Sequence, residues 1–475
     1  MDMLTPILET GSGVPLYQQL YAFIKKEILS SRIAPDTKLP SKRKLSAYLE
    51  ISQNTIQSAY EQLIAEGYVY SLEKKGFYAA KIDHIHQLDV RSIINDRAAL
   101  DKLDTISYDF SYHGVDIPSF PFTVWRRLAR EVINEYDREL LQLGDPQGHI
   151  RLRTAIADYL HQSRGVNCSP EQIIISSGTE LLMLALIQLL GSDSVYALEN
   201  PGYEKLSMVF SANKARFTAV NIDESGMIPD EVYDSPVNVL SLTPAHQFPS
   251  GGIMPISRRI QLLNWANKAT DRYIIEDDYD GEFKYSGRPI PAMQGLDGSG
   301  KVIYMGAFSK SLTPALRISY MVLPQPLLYK YLGNLSYFIC PVSVIAQKVL
   351  SRFIEDGHFE RHLNRMRLIY KRKRETLTRT IRAMGPGIEI SGADAGQHLL
   401  LRVDNGMNEE QLVSSAAAQG VKVYGISSYY LSADPLPEPP RILLGFAAME
   451  EEDISAAVSL LLKAWWENKA TARPL

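Results

Sequence analysis

Apolar residues recur at helical spacing near the start of the chain. Leu16, Leu20, Phe23, Ile24 and Ile28 predict an amphipathic helix from about Pro15 to Ser30. Pro35 and Asp36 break it, and Ser41 is placed to cap a second helix with Leu45, Tyr48 and Leu49 on its buried face. Ser52 caps a third. There Ile56, Ala59, Tyr60, Leu63 and Ile64 form an apolar stripe, while Gln53, Asn54, Gln57 and Ser58 take the other side. After Glu66-Gly67, Tyr68-Val69-Tyr70 and Phe77-Tyr78-Ala79 read as two strands joined by Glu73-Lys74-Lys75-Gly76, a hairpin with a basic tip.

From about Asp109 the pattern changes. Ile173–Ile175, Val195–Leu198, Val239–Leu242, Tyr273–Ile275 and Val302–Met305 are short apolar runs set between helical stretches, and a polar cluster follows each. Such runs predict an α/β domain with a buried, mostly parallel sheet. Ligands of these sheets sit beyond the carboxyl ends of the strands, where the clusters fall. Between the two patterns the chain is polar and charged, with parts such as Val90–Leu100 suited to a helix, and reads as a semi-ordered linker. The expected boundaries are 10–80 for the head, 81–108 for the linker and 109–475 for the body.

A chain of 475 residues exceeds one compact core, in keeping with this division. The net charge of −4 is unevenly spread: Val14–Lys81 holds ten Lys/Arg against six Asp/Glu. A basic head on an acidic body confines phosphate attraction to one domain. The longest apolar run, Leu181–Leu190, is interrupted by Gln188 and is too short to cross a bilayer, and no signal peptide is indicated. Cys168 and Cys340 are the only cysteines and lack metal-ligand spacing, so a reduced, cytoplasmic protein without a metal site is expected.

Two short helices, the second with small polar groups at its start, match a helix-turn-helix. Gln53, Asn54, Thr55 and Gln57 are candidates for base edges. Ser41, Lys42, Arg43, Lys74, Lys75 and Gly76 are further candidates for DNA contact, and the basic tip can grip phosphate or lie in a minor groove. In the body, Lys310 follows a buried strand between Ser309 and Ser311, a position suited to covalent attachment of pyridoxal phosphate. Asp277 could pair with the pyridine nitrogen, Tyr279 with the ring oxygen, and Tyr203 could flank the ring. Ser177-Gly178-Thr179 opens a helix and could hold the phosphate, aided by Ser309 and Arg317.

The order of the head motifs resembles the GntR-type winged helix: Lys38-Leu39-Pro40-Ser41-Lys42-Arg43-Lys44-Leu45, Asn54-Thr55-Ile56, Glu66-Gly67-Tyr68 and Lys75-Gly76-Phe77. Gln53 stands where that family often has Arg. The body resembles fold-type I aminotransferases, closest to the MocR/GabR branch of GntR regulators. The motifs are Gly144-Asp145-Pro146-Gln147-Gly148, Glu199-Asn200-Pro201-Gly202-Tyr203, Glu276-Asp277-Asp278-Tyr279-Asp280 and Phe308-Ser309-Lys310-Ser311-Leu312. Ordinary aminotransferases have Asn-Pro-Thr-Gly where this chain has Gln247-Phe248-Pro249-Ser250-Gly251, and His246 beside it is a further candidate. The resemblance implies a pyridoxal-phosphate-dependent transcription regulator that binds operator DNA and senses a small amine, an amino acid or the cofactor itself. It also implies a homodimer with swapped heads, and Arg441 as the anchor of an effector carboxylate. Aldimine exchange or half-transamination without sustained turnover is expected. The alternative is an active aminotransferase with an accessory DNA-binding head.

Overall fold

The computed structural model describes residues 6, 8–9, 13–82, 106–134, 137–285, 291–431 and 439–466. The chain divides into two compact units, Met1–Lys102 and Leu103–Leu475. Most of the expected linker, Val90–Leu100 included, lies outside the described residues.

The head contains α1 (Leu16–Leu29), α2 (Lys42–Leu49), α3 (Gln53–Ala65) and an antiparallel hairpin of β1 (Val69–Leu72) and β2 (Gly76–Ala79). Both expected caps form: Ser41 accepts from the Lys44 N–H and Ser52 from the Thr55 N–H, at 3.3 and 3.1 Å. Glu50, in the left-handed region at φ 55°, turns the chain from α2 into α3. Leu20, Ile24, Leu45, Ile56 and Leu63 close the core without exposed surface. Tyr60 ties three parts together. Its hydroxyl donates to the Pro40 carbonyl at 2.9 Å, and its ring meets Phe77 of the hairpin edge-on at 4.9 Å. Tyr48 departs from expectation and is 46 % exposed. With only eight residues, α2 fully buries Leu45 alone.

In the body, β3 (Tyr108–Asp109) pairs in parallel with β14 (Val421–Lys422). The main sheet holds β4 (Ile173–Ser176), β5 (Val195–Asn200), β6 (Arg216–Asp223), β7 (Gly226–Met227), β8 (Val239–Leu242), β9 (Tyr273–Asp278), β10 (Val302–Ala307) and β11 (Ser319–Val322). Their order is β4-β11-β10-β9-β8-β5-β6-β7. The central pairs β10/β9, β9/β8, β8/β5 and β5/β6 are parallel. The antiparallel β11 and β7 are additions to the sequence reading. A second, antiparallel sheet of β12 (Ile388–Ser391), β13 (His398–Val403), β15 (Tyr424–Gly425) and β16 (Arg441–Gly445) lies toward the C-terminus.

Helices cover both faces of the main sheet. Ile174, Leu198, Ile275 and Ile303 pack with Leu182 and Leu186 on one side, while Leu240, Leu242, Ile274 and Val302 pack with Trp265 on the other. Burial on both faces is why these strands read as unbroken apolar runs rather than alternating ones.

Leu63→Ala should destabilise the head by about 2–5 kcal/mol, the usual cost of emptying a sealed site. All four tryptophans lie in the body, at 125, 265, 465 and 466. In a urea titration, the variant should therefore lose helical circular dichroism early, with tryptophan fluorescence unchanged until the body unfolds.

Candidate functional site

A cavity of about 260 Å³ lies beyond the carboxyl ends of β9 and β10. Alternation along β9 sends Glu276 and Asp278 to one side and Asp277 to the other. Glu276 accepts the backbone N–H groups of Met293 and Gln294 at 2.7 and 2.8 Å. Asp278 accepts from Arg164 Nε and the Tyr304 hydroxyl, each at 2.7 Å, and from the Gly281 N–H at 3.1 Å. Asp277 has no such answer. It lines the cavity, and its Oδ1 is buried without a hydrogen-bond partner. Burial, reinforced by the charges of Asp278 and Asp280, pushes its carboxyl up to about 7.

Lys310 follows β10 and faces the same cavity. Its ammonium donates to the Tyr112 carbonyl, and desolvation pulls its pKa down to about 8 against the opposing pull of Asp280. With such a value about a tenth of the amine is neutral at pH 7, and the neutral form is the one able to act as a nucleophile. On the far wall Gly178, at φ +92°, starts the helix Thr179–Leu190. A Cβ there would sit 2.1 Å from Arg317 Nη2, so only glycine lets the guanidinium lie against the helix start. Arg317 pairs with Glu180 at 3.2 Å, and both side chains are partly exposed. A helix start with a guanidinium beside it can hold an anion, which would compete with Glu180 for Arg317.

Eight of the sequence candidates thus line one cavity: Lys310, Asp277, Tyr279, Gly178, Thr179, Tyr203, Ser309 and Arg317. Ser177 and Arg441 are not among its lining residues. Arg441 begins β16 opposite Arg402, and its charge acts on Tyr430. The structure also adds residues. Glu199 closes the wall with Oε2 accepting the Thr243 hydroxyl at 2.6 Å and Oε1 without a partner, and burial raises it to about 7. Its signal was available, since it lies near the carboxyl end of the buried strand β5. The Gln247 amide donates to the carbonyls of Pro201 and Phe248, at 3.0 and 2.6 Å, so Phe248 rather than Gln247 faces the cavity. His246, Asp280 and His398 bring possible ligand atoms within 4.8 Å of one another. Of their ring nitrogens, His246 Nδ1 lies 3.0 Å from Asp280 Oδ2 and His398 Nε2 lies 3.1 Å from the Pro249 carbonyl.

On the head, Gln53, Asn54 and Gln57 are exposed on α3. Gln57 donates to Glu61 at 2.7 Å and accepts from Lys42 at 3.4 Å. Thr55 is half-buried with its hydroxyl 2.8 Å from Ser52 Oγ, which commits it to the cap. Ser41, Lys74, Lys75 and Gly76 line one groove between the start of α2 and the hairpin, joined by Lys38. Gly76, at φ +110°, lets the Lys38 stem pass close to the hairpin. Arg43 is exposed on α2.

The raised Asp277 carboxyl fixes a pH dependence. Its ordinary value is about 4, so below that pH the carboxyl is neutral in both states and its burial carries no ionisation cost. Stability is lost as pH rises through the folded value of about 7. Asp277→Asn should therefore stabilise the ligand-free body at pH 8 by about 1–3 kcal/mol, with a smaller gain at pH 5. Urea titrations followed by tryptophan fluorescence at the two pH values check this.

Residues 113–461 match the family described as Aminotransferase class I and II, and residues 16–79 match the Bacterial regulatory proteins, gntR family. The chain is 42% identical to YhdI, an uncharacterized HTH-type transcriptional regulator of Bacillus subtilis, over 97% of this chain and 98% of that protein. It is 32% identical to the probable rhizopine catabolism regulatory protein MocR of Rhizobium meliloti, over 97% and 95%. It is 30% identical to the pyridoxine biosynthesis transcriptional regulator PdxR of Corynebacterium glutamicum, over 96% and 98%. A multiple substrate aminotransferase from Thermococcus profundus shares the fold, with a TM-score of 0.69 at 23% identity over 82% of this chain and 97% of that one. With both family matches on one chain and whole-length relatives of this kind, the protein belongs to the MocR-type transcriptional regulators, in which a GntR DNA-binding head precedes an aminotransferase-like domain.

Proposed function

We propose that the body holds pyridoxal phosphate at Lys310, and that occupancy by the cofactor, alone or with a small amine or amino acid, changes how the heads hold operator DNA. The observation that carries this is the unpartnered Asp277 Oδ1, which shares a cavity with a lysine of lowered pKa. A protonated pyridine nitrogen is the group that would answer that oxygen, and Asp277 would in turn keep it protonated. When bound, the cofactor supplies a ring that withdraws electrons from an attached amine. Lys310 would bind it covalently, Tyr279 would meet its ring oxygen and Tyr203 would flank it. Gly178, Thr179, Ser309 and Arg317 would hold its phosphate, with Ser177 just outside.

Arg441 remains the proposed anchor for an effector carboxylate. Leu431 lines the cavity, and residues 432–438, which connect it toward Arg441, lie outside the described residues. PdxR is named for pyridoxine biosynthesis and MocR for rhizopine catabolism, which keeps both the cofactor and a catabolic small molecule as candidate effectors. Such a ligand shifts DNA binding only as far as it favours one arrangement of the heads over another. Two heads on a swapped homodimer would read paired half-sites. Sustained transamination of a keto acid would instead make the chain a working aminotransferase.

Lys310→Ala should abolish the visible absorbance gained on adding pyridoxal phosphate, with the fold retained. DNA footprints on the chain's own upstream region should then cease to respond to the cofactor. A borohydride-reducible adduct persisting in the variant would relocate the anchor to another lysine.

On the head, Arg43→Ala or Lys75→Ala should weaken binding to all sequences and lower the salt slope by roughly one for each phosphate left without its cation. Asn54→Ala should instead narrow the gap between operator variants by about 1–3 kcal/mol. Fluorescence anisotropy across a salt series separates the two classes.

A further inference from the structure

Beside the cavity, His246, Asp280 and Tyr279 form a hydrogen-bonded chain whose direction follows from its atoms. His246 and Asp280 are each 1% exposed. His246 Nδ1 lies 3.2 and 3.0 Å from the two Asp280 oxygens and 3.1 Å from the Tyr279 hydroxyl. As a carboxylate, Asp280 only accepts, so Nδ1 must carry the proton of the imidazole. A protonated ring nitrogen has no in-plane lone pair to offer, so the Tyr279 hydroxyl cannot donate to it. The tyrosine oxygen takes a share of the Nδ1 proton, and its own hydrogen is free to point into the cavity that Tyr279 lines.

The surroundings hold this arrangement. His246 Nε2 is buried without a partner, so a second proton there would be an unmet donor on a buried cation. A Cβ on Gly396 would come within 2.2 Å of His246 Nδ1 and 2.4 Å of Asp280 Oδ2, so bare backbone presses against the pair. His398 on β13 lies beside the imidazole, tilted by 44° with centroids 4.7 Å apart. Among the described residues, the titratable groups facing His246 are therefore Asp280, Tyr279 and His398. Lys310, lowered by burial against the opposing pull of Asp280, acts on His398, which burial depresses first and the Lys310 charge further.

We propose that His246 and Asp280 are positioning residues that fix one imidazole tautomer and thereby compel Tyr279 to donate its hydroxyl proton to the ring oxygen of the bound cofactor. This rests on the cofactor placement proposed above. A donor on that oxygen weakens its grip on the proton shared with the Lys310 nitrogen. The lysine-linked chromophore then loses that proton at lower pH.

The test is a pH titration of the visible absorbance of the full-length protein loaded with pyridoxal phosphate. Tyr279→Phe should move the midpoint up by about one pH unit, a tenfold change in the proton equilibrium. His246→Leu should move it the same way. His246→Asn, whose amide can donate in place of Nδ1, should restore a near-wild-type midpoint, which a merely space-filling role would not produce. Nitrogen-15 NMR of histidine-labelled protein provides a reading without cofactor: His246 should carry its proton on Nδ1, and on Nε2 in Asp280→Leu. A wild-type proton on Nε2 would overturn the inference. So would a His246→Leu midpoint equal to wild type while Tyr279→Phe is shifted. If the wild-type protein gains no visible absorbance, the cofactor reading fails, and the NMR assignment still decides the tautomer.

Discussion

Glu276, Asp277, Asp278 and Asp280 lie within five residues at the end of β9, and burying so much carboxylate is the constraint around which the site is organised. Each buried charge costs several kcal/mol unless it is neutralised or hydrogen-bonded. Backbone N–H groups answer Glu276, Arg164 and Tyr304 answer Asp278, and His246 answers Asp280. The Arg164–Asp278 pair is held at 2.7 Å with both side chains 3% exposed. Once three carboxylates are tied down, the fourth has one direction left. Asp277 lines the cavity, with its Oδ1 buried and without a hydrogen-bond partner among the described residues.

The rest of the cavity is built from rigid parts. β9 and β10 pair in parallel with Met305 opposite Asp277, so the carboxylate and the loop carrying Lys310 leave neighbouring strands side by side. On the opposite wall, Gly178 lets Arg317 lie against the helix start. Binding groups carried by strand and helix ends are placed more precisely than groups carried by long loops.

Much of this was legible in the sequence, for identifiable reasons. Double-faced burial made the parallel strands read as apolar runs, and each ran directly into its polar cluster. The head was readable because its caps, Ser41 and Ser52, are local signals. What was hidden depended on distant partners. That Asp277 is free and Asp278 is not follows from Arg164, 114 residues earlier in the chain. β11 escaped notice because Ser319 opens it immediately after the Arg317 turn, and its run is completed only by antiparallel pairing with β4 and β10. Gln247 lies where ordinary aminotransferases carry Asn-Pro-Thr-Gly, and its amide is held by the Phe248 carbonyl of its own loop and by the Pro201 carbonyl, 46 residues earlier. Gln57 presents an open polar face on paper but is held between Lys42 and Glu61 on the folded head.

The head keeps its hydrophobic core to itself: among the described residues, the buried cluster from Leu20 to Ala79 draws only on the head. The head's core thus carries its own packing constraints. Substitutions that retune Gln53 or Asn54 on α3 need no compensating change around Lys310, and changes in the cavity leave the Tyr60 tie untouched. Recombination within the intervening segment could join one DNA-binding head to a different aminotransferase-like body in one step. A lineage built this way can diversify by exchanging whole parts as readily as by accumulating point changes.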